Sequence, residues 1–306
     1  MHFNKLVGAL AVAICVCIVG MGAKPFDAQF KLIKIENECK VKVAGTSGFV
    51  AAKVGSDYPY GTTILTGRKS SAVISFSDGN ECRILARTEL VVMEDTKDRK
   101  MKTLKLAMGK AEIDLQPDFH KDNDLKVETP TAICGAVECH FTAEVLSGRG
   151  FIRAIFESLK GIIKIDGEGF NVPVVGAGAT LMISGSYDLD EIVVTVVKGE
   201  LKVNVKEGQD KSKLFTLPQG STIRIRRTVV DDKTERITVT ITMPDGKVVT
   251  FSYTQTAKPR KGRGTIFTPV NETGSSTSTT QSRNLDLQVP ADAPPVYPTP
   301  TQVGNV

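Results

Sequence analysis

The sequence predicts a mainly β protein: a β-solenoid-like roll or a β-sandwich of short antiparallel strands, followed by a disordered C-terminal tail. Three observations lead there. Apolar residues alternate with period two, as in "SSAVISFSDGNECRILA". There Ala72, Ile74 and Phe76 share one face, and Cys82, Ile84 and Ala86 resume the pattern after the Asp78-Gly79 turn. The apolar stock suits strands: 41% of the 306 residues are hydrophobic, only 6% are aromatic, and Trp is absent, which leaves Val, Ile, Leu and Thr to build a core. Glycine-marked strand starts also recur along the chain.

The first segment, "MHFNKLVGALAVAICVCIVGMGA", has one Lys, an apolar run from Leu6 to Met21 and then small residues. That is the layout of a signal peptide over residues 1–23. Two other readings stay open. Leu6 to Ala23 spans 18 residues, about 27 Å as a helix, which is marginal for an uncleaved anchor. A lipoprotein using Cys15 or Cys17 fits less well, because Ile14 and Val16 precede them where a small residue is usual. All three place the rest of the chain outside the cytoplasm: periplasmic, on the cell surface or secreted. The net charge of +5, from 39 basic and 34 acidic side chains, is too small to argue for nucleic acid.

Export bears on Cys39, Cys82, Cys134 and Cys139. An even number of cysteines in an oxidising compartment makes all four disulfide candidates. In a continuous strand Cys134 and Cys139 would lie on opposite faces, about 16 Å apart, which favours long-range pairs. Joining Cys39 to Cys82 would contribute on the order of 4 kcal/mol by loop closure. Four buried thiols are the alternative, since Cys packs as a small hydrophobe.

Strand–turn–strand units follow one another. "MKTLKLAMGKAEIDL" alternates on both sides of Gly109-Lys110, "EIVVTVVKGELKVNV" on both sides of Lys198-Gly199, and "ERITVTITMPDGKVVTFSYT" on both sides of Pro244-Asp245-Gly246. "GFIRAIFESLKG" also fits a helix face, but its Lys-Gly ending matches its neighbours and it is assigned to a strand. A repeat runs through these units. A Gly opens a strand at Gly48, Gly161 and Gly199, and 13 to 21 residues later a Gly-small-Thr-Ile/Leu pattern follows at Gly61, Gly178 and Gly220. With Gly79 and Gly109 these are the structural turn glycines, expected where φ is positive or backbones approach closely.

The chain thus divides into a signal peptide (1–23), a β domain (24–228, with a core at 41–146 and a repeat-like extension at 147–228), a β-hairpin (229–257) and a tail (258–306). The tail begins with the basic "KPRKGRG" and turns Ser/Thr- and then Pro-rich, a composition that buries too little apolar area to fold.

The stretch from Val41 to Ile225 resembles the FecR family of extracytoplasmic domains. The likeness rests on the order of several pieces: "VAGTSGFVAAKVGSDYPYGTTILTGRKSSAVISFSDGNECRIL", then "LAMGKAEIDL", "LKVETPTAICGAVECHFTAEV", "VVTVVKGELKV" and "LPQGSTIRI". The family usually has Arg-Gly-Thr shortly before the Phe of the third piece, where Val137, Glu138 and Cys139 stand here. Residues 146–183 look like an additional copy of the Gly unit. FecR proteins also carry a cytoplasmic anti-sigma segment and a membrane span, and their domain faces a TonB-dependent transporter. Only five residues precede the apolar run here, so the resemblance implies a stand-alone exported module without the anti-sigma segment.

Catalytic chemistry finds little footing. Beyond the leader the histidines are His120, in the polar "DFHKDND", and His140, beside Cys139, and there is no Gly-x-Ser-x-Gly elbow. Cys134, Cys139 and His140 lack the close spacing of a zinc site. The acidic loops "DFHKDND", "DGEGF" and "YDLDE" match no EF-hand and read as solvated turns. Basic side chains cluster in "RIRR" (Arg224, Arg226, Arg227) and at Lys258, Arg260, Lys261 and Arg263. Outside the cell such clusters suit an anionic glycan or lipid headgroup, or a solvated edge that discourages strand pairing. Asn271-Glu-Thr is a glycosylation triplet. The expectation is a non-enzymatic envelope module without a cofactor, binding or relaying a signal to an envelope or outer-membrane protein and not to nucleic acid. The alternative is a structural or adhesive surface protein that holds matrix or anionic polysaccharide.

Overall fold

The computed structural model describes residues 30–94, 102–116, 125–148, 150–208 and 211–257. The segment read as a signal peptide, His120 and the tail lie outside them. The chain forms two units, residues 1–268 and 269–306, and every described residue belongs to the first.

Every regular element among the described residues is a strand, twenty in all. The first ten are β1 (Phe30–Glu36), β2 (Cys39–Lys42), β3 (Val50–Ala51), β4 (Asp57–Tyr58), β5 (Thr62–Thr66), β6 (Ser71–Phe76), β7 (Glu81–Ile84), β8 (Glu89–Glu94), β9 (Lys102–Asp114) and β10 (Leu125–Glu128). They are followed by β11 (Ala132–Gly148), β12 (Phe151–Gly167), β13 (Phe170–Val175), β14 (Thr180–Ser186), β15 (Glu191–Lys198), β16 (Leu201–Lys206), β17 (Ser212–Leu217), β18 (Thr222–Val229), β19 (Thr234–Thr242) and β20 (Val248–Thr256). "GFIRAIFESLKG" is part of β12.

The pairings resolve into two layers. One runs β4-β1-β6-β7-β9-β11-β12-β14-β15-β18-β19-β20. The other runs β3-β2-β5-β8-β9-β10-β11-β12-β13-β16-β17. Among the described strands only β9 and β10 pair in parallel, so their architecture is an antiparallel sandwich with rolled corners and not a parallel solenoid.

The strands β9, β11 and β12 belong to both layers. The first half of β9 pairs with β8 and β10, its second half with β7 and β11. Each of the three changes parity midway. Leu104 and Leu106 are buried, then Ala111 and Ile113; Cys134 and Ala136, then Cys139, Phe141, Ala143 and Val145; Ile152, Ala154 and Phe156, then Ile163 and Ile165. A strand that leaves one sheet for the other must skip one residue to keep its apolar face inward, and a bulge or bend does this. The skips fall at Gly109 (φ 92°), at the register shift after Val137, and near Gly161 (φ 78°).

Two hairpin assignments change accordingly. Gly109-Lys110 is a corner inside continuous β9. Lys198-Gly199 separates β15 from β16, which lie in different layers and do not pair with each other. The Asp78-Gly79 and Pro244-Asp245-Gly246 turns do close hairpins, with the Asp78 and Asp245 carboxylates accepting from the N–H of Asn80 (3.1 Å) and Lys247 (2.9 Å).

The second half of the repeat is one turn built three times. Thr62, Ala179 and Ser221 each donate a backbone N–H to the carbonyl three residues back, with the Gly between at φ of 86°, 79° and 87°. Each of those glycines, Gly61, Gly178 and Gly220, also donates across to a neighbouring strand at 2.7–2.8 Å. Gly48 departs from the pattern. Its φ is not positive and a Cβ there would meet nothing within 4 Å, so no conformational need for Gly exists at that site.

Candidate interaction surface

On the outer face of the first layer, β1, β6, β7, β9 and β11 lie side by side. Their register aligns Lys34, Val73, Arg83, Glu112 and Thr142 in one row. A second row aligns Glu81, Asp114 and His140. Lys34, Val73, Glu81, Arg83, Glu112, Asp114 and His140 line a shallow depression of about 270 Å³. The outward parity of each strand puts these side chains there, because their neighbours in sequence (Ile74, Cys82, Ile84, Ile113 and Phe141) fill the core.

The depression carries both signs of charge. His140 Nε2 lies 2.7 Å from Glu112 Oε1. Beside it, Lys34 Nζ is 2.7 Å from Glu36 Oε1, and the Ser71 hydroxyl donates to Glu36 Oε2 at 2.8 Å. Lys34 and then Ser71 hold the Glu36 carboxyl below the usual range, with a smaller contribution from Arg83. No hydroxyl or thiol nucleophile lines the depression. Its side chains offer ion pairing and hydrogen bonding across an open surface.

The "RIRR" arginines are not an open basic patch. Glu191 receives Arg224 Nη1 at 2.9 Å on one oxygen and Arg226 Nη2 at 3.0 Å on the other. Arg227 turns inward: its Nε lies 3.2 Å from Glu235, it also pairs with Glu168, and Gln255 donates to Glu235 at 2.6 Å. Both residues of the Arg227–Glu235 pair are nearly buried, with side-chain exposures of 10% and 3%. A second buried pair joins Lys102 to Asp78, with the Lys102 ammonium 5.0 Å from the centre of the Phe76 ring. These pairs escaped the sequence reading. The signal was present, since Arg227 is in phase with Ile223 and Ile225, and Glu235 with Ile237 and Val239. Opposite charges at inward positions of consecutive strands announce a buried pair.

Cys39, Cys82, Cys134 and Cys139 are all buried, and no disulfide joins them. The expectation that Cys134 and Cys139 face opposite ways is corrected: the β11 corner between them skips a residue and turns both inward. Burial pushes the Cys82 thiol up to about 12, with a further push from Glu112, and the Cys39 thiol up to about 11. Cys134 is raised well above its ordinary value by burial, then by Cys139 and Asp166. His140 is on the outer face, away from the inward Cys134 and Cys139, so the three do not converge. Among the described residues no three His, Cys, Asp or Glu side chains are placed to hold a metal ion. In the acidic loops, Asp166 accepts from Asn171, Glu168 serves Arg227 and Glu191 serves the two outer arginines. Lys258, Arg260, Lys261 and Arg263 lie outside the described residues.

The fold and this face define an antiparallel β module with a mixed-charge outer surface. Residues 62–157 match the family model described as FecR protein, so the resemblance read from the sequence holds over β5 to the first half of β12. No curated protein matches the chain. Two crystal structures of a candidate anti-sigma factor from Parabacteroides distasonis ATCC 8503 are similar to it, each with 11% identity and a TM-score of 0.34. Each match covers 52% of this chain and 60% of the solved one.

Proposed function

We propose that this protein is an exported, non-catalytic binding and signalling module of the cell envelope, whose FecR-like region docks a protein partner. The observation that carries the reading is the coincidence of the FecR match over 62–157 with four of the five strands that build the charged depression. Lys34 and Arg83 next to Glu81, Glu112 and Asp114 make a surface of both signs. Such a surface is complementary to a folded partner with its own charge pattern, whereas a polyanion calls for one sign only. The signal-peptide-like leader points the same way.

The experiment is crosslinking in intact cells with a tag after Val306, followed by mass spectrometry of the captured material. The reading expects one saturable envelope protein that is lost in the R83E/E112K double variant. These are outer-face substitutions: Arg83 is exposed, and E112K gives up the half-buried Glu112 contact with His140. Capture of glycan or cell-wall material released by salt, unaffected by R83E/E112K, sinks the reading in favour of an adhesive protein.

A further inference from the structure

We infer that the open edge of β20 is a pairing surface for a second copy of this chain. β20 pairs with β19 and with no other described strand, so one side of its nine-residue backbone has no ladder partner among the described residues. The other edges are blunted. β3 and β4 have two residues each, and β17 carries Lys213 and is preceded by Lys211. By contrast β20, "VVTFSYTQT", has no charge, no Pro and an unbroken register against β19. Its inward residues show what is missing. Ile237, Val239 and Ile241 of β19 are buried, but their partners Tyr253, Phe251 and Val249 on β20 are only half covered. The core stops one strand short of closure.

The strand's own sequence selects the occupant. An antiparallel pair about a two-fold axis at Ser252 overlaps all nine residues. It sets Ser252 against its copy, Phe251 against the copy's Tyr253, Thr250 against Thr254, and Val248 against Thr256. No like charges meet, and the half-covered aromatics become cross-strand neighbours on the inner face. No residue of β20 lines the charged depression, so this surface is separate from it.

Sedimentation of the full chain over a concentration series, with hydrogen exchange of the β20 amides, tests the inference. Ser252 is exposed and gives up only a surface hydrogen bond to Thr238, so S252K and S252E should melt like the parent at concentrations where all three are monomers. The parent is expected to dimerise with β20 amides that gain protection as concentration rises. S252K and S252E should each need about tenfold more protein to associate, and an equal mixture should associate like the parent. A dimer indifferent to S252K, or a monomer with fast-exchanging β20 amides at every concentration, overturns the inference. So does a monomer whose β20 amides are protected at every concentration, which would mean that the chain covers its own edge.

Discussion

Gly109 lies against the backbone of Thr88: a Cβ on Gly109 would stand 2.5 Å from the Thr88 Cα and 2.7 Å from the Arg87 carbonyl oxygen. The contact locks the β9 corner. The Thr88 hydroxyl accepts from Lys110 N–H at 2.9 Å, and the Thr88 N–H donates to the Thr66 hydroxyl at 2.9 Å. Gly109→Ala must therefore force both a left-handed φ and a backbone overlap. A cost above about 3 kcal/mol is expected. Gly178→Ala keeps open space and bears only the φ cost, about 1–2 kcal/mol. Gly61→Ala, which meets the Ala44 Cβ at 2.9 Å, should fall between them, and Gly48→Ala should be neutral. Urea midpoints for the four variants give this order or refute it.

The Arg227–Glu235 pair supports the end of the sandwich at β18 and β19. Arg227→Met removes the cation that pairs with Glu168 and Glu235, and the nearly buried Glu235 carboxylate loses the opposite charge beside it. Breaking a buried pair from one side costs about 3–5 kcal/mol, and that loss of stability is expected in chemical denaturation. Arg224→Met removes only an exposed contact with Glu191 and should cost less than about 1 kcal/mol.

The four thiols are closed to reagents while the fold holds. At neutral pH, iodoacetamide should leave Cys39, Cys82, Cys134 and Cys139 unmodified, because each is buried and, at Cys39, Cys82 and Cys134, burial disfavours the thiolate. Unfolded in urea without reductant, the chain should gain four adducts at these positions by mass spectrometry. Zero adducts there would show two disulfides instead.

Glu89 opens β8 half-buried, and burial pushes its carboxyl above the usual range while Lys42 pulls it partly back. The folded chain thus holds this proton more tightly than the unfolded chain. Ionisation opposes folding, so this group's contribution falls as pH rises through the window just above the ordinary Glu value. Glu89→Gln should be more stable than the parent at pH 7 and indistinguishable from it below the ordinary Glu value. Denaturation midpoints across that range test the sign.

Period-two alternation, Val/Ile-rich runs and Asp-Gly turns determined the strands by themselves. Each is a local preference: the alternation from Ala72 to Phe76 and from Cys82 to Ile84 suffices to place β6 and β7 and the turn between them. The three Gly turns at Gly61, Gly178 and Gly220 were equally legible, because positive φ leaves its mark on one residue. Tertiary structure decided the corners. A Gly at a parity slip, as at Gly109, describes both a hairpin turn and a strand that bends into a second sheet, and only the neighbours on either side, β8 and β10 or β7 and β11, tell them apart. The same ambiguity hid the shared inward face of Cys134 and Cys139. The charged depression was illegible for a related reason: Lys34, Arg83, Glu112 and His140 come from separate strands, and the register that aligns them is set by contacts far apart in the chain.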